Sequence, residues 1–77
     1  MPYEQPLWRT IRDTLRARIA AGVYPPGGKL PSVRELSEEF ETSHMTIRRA
    51  VDHLIQADEL VGRVGRGIFV PEAPERL

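Results

Sequence analysis

Apolar side chains repeat at the spacing of an amphipathic helix in three stretches of the chain. The first stretch has an apolar residue at every fourth position and predicts a helix over residues 7–21. Pro6 suits the first turn of that helix, because its missing N–H would be unpaired there. Gly22 would end the helix as a left-handed cap, and Pro25-Pro26-Gly27-Gly28 predicts a loop after it. The repeating positions are Leu7, Ile11, Leu15 and Ile19, with Trp8 beside them.

A capping box predicts the start of a second helix. In Ser32-Val33-Arg34-Glu35 the serine hydroxyl and the glutamate carboxylate can each accept a hydrogen bond from the other residue's backbone N–H. The helix that follows is predicted over residues 33–40. Lys29 and Leu30, just before it, form a short extended segment that could pair with a strand elsewhere. The side chains predicted to face inward are Val33, Leu36 and Phe40.

The third stretch has the best-defined pattern and predicts a helix over residues 44–57. Ser43 stands where its hydroxyl can accept a hydrogen bond from the free backbone N–H groups of the first turn. The N-terminus of a helix also carries a partial positive charge, which favours an anionic partner. At about 100° per residue, the first half turns polar and basic side chains away from the apolar stripe. The stripe consists of Ile47, Val51, Leu54 and Ile55, and the outward side chains include His44, Met45, Arg48, Arg49 and Asp52.

After residue 57 the pattern changes from helical to strand-like. Residues 60–64 and 68–70 are predicted as strands joined by the tight turn Gly65-Arg66-Gly67, and Pro71 ends the second strand. A hairpin with an arginine at its tip, directly after a pair of helices, is typical of a wing; a plain hairpin with a solvated tip is the alternative. The predicted fold class is mainly α with a small β-hairpin, a winged helix-turn-helix of three helices and a two-stranded wing.

Charge alters this picture in its distribution more than in its sum. The 77 residues suit one small domain, and eleven Lys and Arg balance eleven Asp and Glu, whereas a small nucleic-acid binder is more often basic. Residues 43–70 nevertheless hold four arginines against three acids, and residues 35–41 hold four acids and no base. Most of the charged side chains of the first two predicted helices and of the turn after them are expected to be solvated. These are Arg9, Arg12, Arg16, Arg18, Glu38, Glu39 and Glu41.

Several function classes find no support in the sequence. There is no cysteine, so neither a disulfide framework nor a thiolate metal site is available. No apolar run approaches the roughly 20 residues that span a bilayer, so we expect a cytoplasmic protein without a membrane partner. His44 and His53 lie on different faces of one predicted helix, and the glycine run is not a phosphate loop. We therefore expect no catalytic residue, no metal ligand and no cofactor, and predict that the chain is not an enzyme.

Four segments of the chain carry a likeness to a known family: residues 24–32 (YPPGGKLPS), 33–36 (VREL), 46–50 (TIRRA) and 65–70 (GRGIFV). In this order and spacing they resemble the N-terminal DNA-binding domain of GntR-family bacterial transcription regulators. The likeness runs over about residues 7–70, so that residues 1–6 are expected to be an arm and residues 71–77 the start of a linker or a C-terminal tail. Three departures stand out. His44 replaces an arginine that reads guanine in many members, Glu41 and Glu59 replace common glycines, and residues 60–65 are one residue short.

The resemblance implies a transcription regulator, more commonly a repressor, that binds a palindromic double-stranded DNA operator. By position it implies that Arg34, Arg48 and Gly65 contact the DNA from the second helix, the recognition helix and the wing. A homodimer on DNA is left open, and the effector-binding domain of the family is expected to lie outside this chain. Combined with the residue pattern, the expected DNA-binding set is Ser32, Arg34, Ser43, His44, Met45, Thr46, Arg48, Arg49, Gly65, Arg66 and Gly67.

A winged helix used for protein–protein contact is the alternative, since a neutral net charge would be natural for it. The two hypotheses differ in whether Arg34, Arg48, Arg49 and Arg66 converge on one face, and we predict that they do. Ion pairs between these arginines and the acids of residues 35–41 would favour the alternative. For Arg34, which stands in the first turn of the second helix where phosphates bind, an ion pair with a nearby acid is the alternative to a DNA contact.

Overall fold

The computed structural model describes residues 6–72 and contains three helices followed by a two-stranded hairpin. The predicted kind and order of elements are confirmed, and the helix boundaries differ by no more than one residue from those predicted. Residues 1–5 and 73–77, which hold most of the predicted arm and tail, lie outside the described residues. The elements are α1 (Leu7–Ala20), α2 (Val33–Phe40), α3 (His44–Gln56), β1 (Val61–Arg63) and β2 (Gly67–Phe69).

Helix α1 ends in the left-handed cap that the sequence predicts at Gly22, where φ is 83°. The Gly22 N–H donates to the Ile19 carbonyl at 3.1 Å, and the Val23 N–H donates to the Arg18 carbonyl at 2.9 Å. These two bonds form a Schellman motif, which satisfies carbonyl groups that the helix end leaves free. The chain is thereby turned into the proline-glycine loop that precedes α2.

The N-termini of α2 and α3 are both capped by serine. Ser32 Oγ accepts from the Glu35 N–H at 3.1 Å while Glu35 Oε1 accepts from the Ser32 N–H at 2.8 Å, so the capping box is confirmed. Ser43 Oγ accepts from the Thr46 N–H at 3.2 Å. Between the two helices, Glu41 adopts φ 54° and ψ 52°, the left-handed conformation that the glycine of the family suggested.

The hairpin is joined to the rest of the fold by a third extended segment. Strands β1 and β2 are antiparallel, and Lys29 lies opposite Phe69 on the other side of β2. The Leu30 N–H donates to the Ile68 carbonyl, and the Val70 N–H donates to the Gly28 carbonyl, both at 2.8 Å. The predicted pairing of residues 29–30 with a strand is confirmed, and it fixes the base of the wing beside the start of α2.

A single apolar core fixes the orientation of α3. The inward side chains of α1 and α3 pack on each other, with contributions from α2 and the wing. Each large side chain that becomes fully buried contributes about 1.5–3 kcal/mol relative to leaving it exposed. Burial of one face of α3 leaves the polar face of its first half directed outward. The most completely buried side chains are Ile11, Leu15, Leu36, Ile47, Leu54 and Leu60.

The prediction that the charged side chains of α1 are mostly solvated is wrong for Arg12 and Arg18, whose side chains are 19% and 27% exposed, whereas Arg16 is 44% exposed but held in an ion pair. The Arg16 guanidinium donates to both carboxylate oxygens of Glu59, at 2.7 and 2.8 Å. Arg18 donates to Glu39 and, at 2.8 Å, to the Tyr24 hydroxyl. Hydrogen bonding to Glu39 raises the pKa of Arg18, and the same interaction lowers the pKa of Glu39.

The ion pair with Arg18 also corrects the prediction for Glu39, and the backbone angles clarify the position of Glu59. Glu39 is not simply solvated, because it joins α2 to α1. Glu59 needs no glycine-like conformation, since the left-handed residue after α3 is Asp58, with φ 62°. The partners lie 21 and 43 residues apart in sequence, which is why helical periodicity could not reveal them.

Candidate nucleic-acid interface

The first half of α3 presents its side chains to solvent in the order that the sequence predicts. Ile47, Ala50 and Val51 are buried, whereas His44, Arg48 and Arg49 are exposed and Met45 is 79% exposed. Thr46 is half-buried, and its hydroxyl lies 3.0 Å from that of Ser43, with which it shares a hydrogen bond. The result is a capped helix end with two arginines projecting from a rigid support.

A cleft separates α3 from the wing, and we call it the wing cleft. Four basic side chains line it, from the segment before α2, from α3 and from the hairpin: Lys29, Arg48, Arg63 and Arg66. Ser32, which caps α2, also lines the cleft, and Asp52 is the one acid among its lining residues. Basic residues from three parts of the chain therefore border the cleft, although the Arg63 guanidinium lies over the Phe69 ring, 5.8 Å from its centroid, and Phe69 does not line the cleft.

A second depression lies on the other flank of α3, toward α1. We call it the Trp8 depression. The Trp8 ring has the Arg49 guanidinium 5.0 Å from its centroid and the His53 ring 5.1 Å away. Arg48 and Asp52 line both this depression and the wing cleft, so α3 is the ridge between them. Its lining residues are Trp8, Met45, Arg48, Arg49, Asp52, His53 and Gln56.

The predicted convergence of four arginines is seen only in part, because Arg48 and Arg66 line one cleft whereas Arg49 lines the depression on the opposite flank of α3. Arg48, Arg49 and Arg66 line the two depressions beside α3, but Arg34 lines neither. Arg34 Nε lies 3.5 Å from Glu38 Oε2, and the two side chains are 80% and 68% exposed. An exposed pair of this spacing is worth about 0.3–0.5 kcal/mol and holds the guanidinium only loosely. Arg34 therefore stands beside the cleft, next to Ser32, with its charge still accessible to a partner.

The tip of the wing lies one residue earlier than predicted. Val64, Gly65 and Arg66 form the turn, and Gly67 already begins β2. The Arg66 N–H donates to the Arg63 carbonyl at 2.9 Å, and Gly65 has φ 75°, which glycine adopts without strain. No atom lies within 4 Å of the position that a Gly65 Cβ would take, so the turn faces open space.

Gly67 also has a backbone conformation that strains a residue with a Cβ. Its φ is 123°, and an added Cβ would lie 2.8 Å from Lys29 Cε. The glycine thus leaves room for the end of the Lys29 side chain to cross the wing closely.

The geometry can be compared with known proteins. The sequence pattern of the family described as "Bacterial regulatory proteins, gntR family" matches residues 7–70. The chain belongs to the GntR family. It is 38% identical over 68 residues to the mannosyl-D-glycerate transport/metabolism system repressor MngR of Escherichia coli K12. The aligned residues make up 88% of this chain and 28% of the repressor. It is also 38% identical over 65 residues to the HTH-type transcriptional repressor NagR of Bacillus subtilis, covering 84% and 27%.

Solved structures agree with this assignment. A GntR family transcriptional regulator from Listeria monocytogenes superposes with a TM-score of 0.88 at 30% identity, over 95% of this chain and 64% of that one. AraR(DBD) in complex with operator ORE1 gives a TM-score of 0.86 at 29% identity, over 88% and 83%. The winged helix fold is confirmed. The chain spans little more than a quarter of the length of the curated repressors it matches.

Other kinds of site find no support in this GntR-family fold. Within residues 6–72, no group of three or more His, Asp or Glu side chains is placed to hold a metal ion. No helix among the same residues is both long and apolar enough to cross a membrane. The curated relatives reported above are transcriptional repressors, not enzymes.

Three residues of this GntR-family interface escaped the sequence reasoning. Lys29 and Arg63 line the wing cleft, and Trp8 forms the floor of the opposite depression. Lys29 lies inside a segment that resembles the family, and this could have drawn attention to it. Trp8 stands one position beside the apolar stripe of α1, and its ring packs against the core while also reaching the Arg49 and His53 side chains of α3.

Proposed function

We propose that this GntR-family domain is a sequence-specific DNA-binding transcription regulator, with repression as its expected effect. The observation that carries the proposal is the placement of basic side chains on both flanks of a capped, outward-facing α3. The similarity to repressors and to the AraR domain bound to operators supports the same function. As a regulator of a bacterial family acting on chromosomal DNA, it would work in the cytoplasm.

In the proposed complex, α3 lies in the major groove, which is about 12 Å wide and admits a helix. Arg48, on the ridge between the two depressions, is the side chain we assign to a base edge. Thr46 and Met45 stand in the first turn, close enough to the groove to contact bases or phosphates. His44 is shorter than arginine and lacks its fork of donors, so its base preference should differ from that of family members with arginine there.

Phosphate contacts would set the register of the domain. The N-termini of α2 and α3 direct free backbone N–H groups and a partial positive charge outward, next to Ser32 and Ser43. Arg34 can leave its loose contact with Glu38 to join a phosphate at the start of α2. These contacts position the protein and carry little sequence information by themselves.

The wing would extend the interface into the neighbouring minor groove. The open turn at Gly65 allows the backbone to approach closely, and Gly67 keeps the Lys29 side chain beside it. Arg66 at the tip would favour a narrow, A·T-rich stretch, where the negative potential is strongest. Two copies would occupy the halves of a palindromic operator as a homodimer on DNA, and any effector would bind outside residues 7–70.

The first experiment selects duplexes from a random-sequence pool with this chain at two salt concentrations and sequences the bound fraction. The expected result is a two-fold motif with an A·T-rich position under the wing, and an affinity that falls steeply as salt rises. Absence of binding even at low salt would overturn the proposal and favour a protein–protein role for the domain.

The second experiment replaces Arg48 by alanine. If Arg48 reads a base, the substitution should cost about 1–3 kcal/mol of binding free energy and relax the preference at one base pair. Arg16→Ala is the matched control, because it removes the same charge from a side chain that is paired with Glu59 on another part of the surface. An equal loss on every sequence would show that Arg48 contacts only phosphate.

A further inference from the structure

Arg49 and Arg48 are neighbours in sequence but lie differently on α3. Arg48 lines both depressions, whereas Arg49 lines the Trp8 depression and not the wing cleft. Its guanidinium lies 5.0 Å from the centroid of the Trp8 ring, which belongs to α1. Arg49 is therefore directed away from the wing and along the α1 flank of the recognition helix.

The Trp8 ring is a suitable support for this guanidinium. A guanidinium over an indole face is attracted by the negative charge of the ring's π-system, and tryptophan is the strongest aromatic partner. A carboxylate would also hold the group but would neutralise it. Within residues 6–72, the ion pairs are formed by other arginines, and none of them involves Arg49. The ring thus holds the side chain while leaving its charge available.

Two further arginines approach the same ring, and they differ in their charge environment. The guanidinium groups of Arg9 and Arg12 each lie 5.5 Å from the Trp8 centroid. Arg12 is paired with Asp13 at 2.9 Å and its side chain is only 19% exposed. Arg9 is exposed. The cluster around Trp8 therefore adds positive charge at a place where α1 meets the flank of α3.

A helix in the major groove has a phosphate backbone on each side of it. The groove is about as wide as an α-helix with its side chains, so basic groups on both flanks can reach phosphates. The wing cleft supplies such groups on one flank, as described above. We propose that Trp8 is a positioning residue that holds Arg49 for a backbone phosphate on the α1 flank. This inference rests on the proposed function and assigns Arg49 to the backbone and not to a base edge.

The test is a double-mutant cycle on Trp8 and Arg49. Binding of the 77-residue chain to a labelled mixed-sequence duplex is followed by fluorescence anisotropy over a series of salt concentrations. Arg49→Gln should lower the magnitude of the slope of log K against log salt by about 0.9, the value for one phosphate contact. Trp8→Leu should raise Kd roughly two- to fivefold in the unaltered chain, the range of one cation–π contact. In the Arg49→Gln background, Trp8→Leu should change neither Kd nor the slope.

Two further variants separate positioning from folding. Trp8→Phe keeps an aromatic face and should restore most of the affinity that Trp8→Leu loses. Arg12→Gln removes a cation at the same ring that is already paired with Asp13, and it should leave the salt slope unchanged. All variants are compared below their melting temperatures, measured in parallel, so that unfolded protein does not contribute.

The outcomes distinguish this inference from the function on which it rests. If the unaltered chain binds but Trp8→Leu weakens binding equally with and without Arg49, Trp8 has only a structural role and the inference is overturned. A failure of Trp8→Phe to restore affinity would also overturn it. If the unaltered chain does not bind the duplex at any salt concentration, the proposed function fails first.

Discussion

Glu41 ends α2 in the left-handed region, a conformation that glycine adopts without strain. This conformation costs a residue with a Cβ roughly 1–2 kcal/mol, which a glycine would recover. Glycine also makes the unfolded chain more flexible, and this lowers the free energy of unfolding by about 0.4–1 kcal/mol. Glu41→Gly should therefore raise the free energy of unfolding by about 0.5–1 kcal/mol. The backbone hydrogen bonds of the turn, from the Glu41 and Thr42 N–H groups to Glu38 and Ser37, remain possible for glycine.

Thermal unfolding followed by the helical circular dichroism signal measures the effect. In a domain of this size, that gain corresponds to a rise in Tm of about 2–8 °C. Glu41→Ala is the control, because it removes the same charge and keeps the Cβ. If the alanine variant melts as high as the glycine variant, charge and not backbone strain is responsible, and the argument is refuted. Asp58→Gly should gain less than Glu41→Gly, since aspartate tolerates the left-handed region better.

Two other side chains give sharp expectations. Asp52→Asn should strengthen binding to a mixed-sequence duplex by on the order of 1 kcal/mol at low salt, because Asp52 is the one acid lining both depressions. Asp58→Asn is the control, and an equal gain in affinity by fluorescence anisotropy would contradict an effect specific to the position of Asp52. Glu39→Gln should lower Tm at neutral pH, and the difference should vanish in acid. Arg18 lowers the pKa of Glu39, so the pair stabilises the fold above the ordinary glutamate pKa and is lost as the pH falls through the lowered value. A Tm difference that is the same at every pH would refute this.

Local rules were sufficient to predict most of the fold from the sequence. Each helix begins or ends at a residue whose chemistry is readable without tertiary contacts: Ser32 and Ser43 accept from backbone N–H groups, and Gly22 takes the left-handed cap. The apolar spacing of α3 then identified its buried face, because a helix that packs on one side must place its inward residues at that period. The outward arginines of α3 followed from the same geometry.

What the sequence could not supply are the contacts between distant elements. Nothing local indicates that Arg16 meets Glu59 or that Arg18 meets Glu39, since these pairs exist only once the core has formed. The same holds for Trp8 and Arg49, which belong to different helices. The position of the wing tip was missed by one residue, because three glycines in residues 62–67 allow more than one register. In the register observed, Val61 pairs with Phe69 and Arg63 with Gly67, which leaves residues 64–66 as the turn.

These distant contacts also explain how a chain of zero net charge can present a basic face. A net charge of zero would weaken the DNA-binding hypothesis only if acids and bases were mixed over the surface. Instead, two acids are engaged in ion pairs with arginines of α1 on another part of the surface: Glu59 with Arg16 and Glu39 with Arg18. The bases at the two depressions then face a single carboxylate, that of Asp52. Screening confines charge effects to within about 10 Å at ordinary salt. In the proposed complex, the local excess of positive charge beside α3 would therefore govern the interaction with phosphates, and the net charge of the whole chain would not.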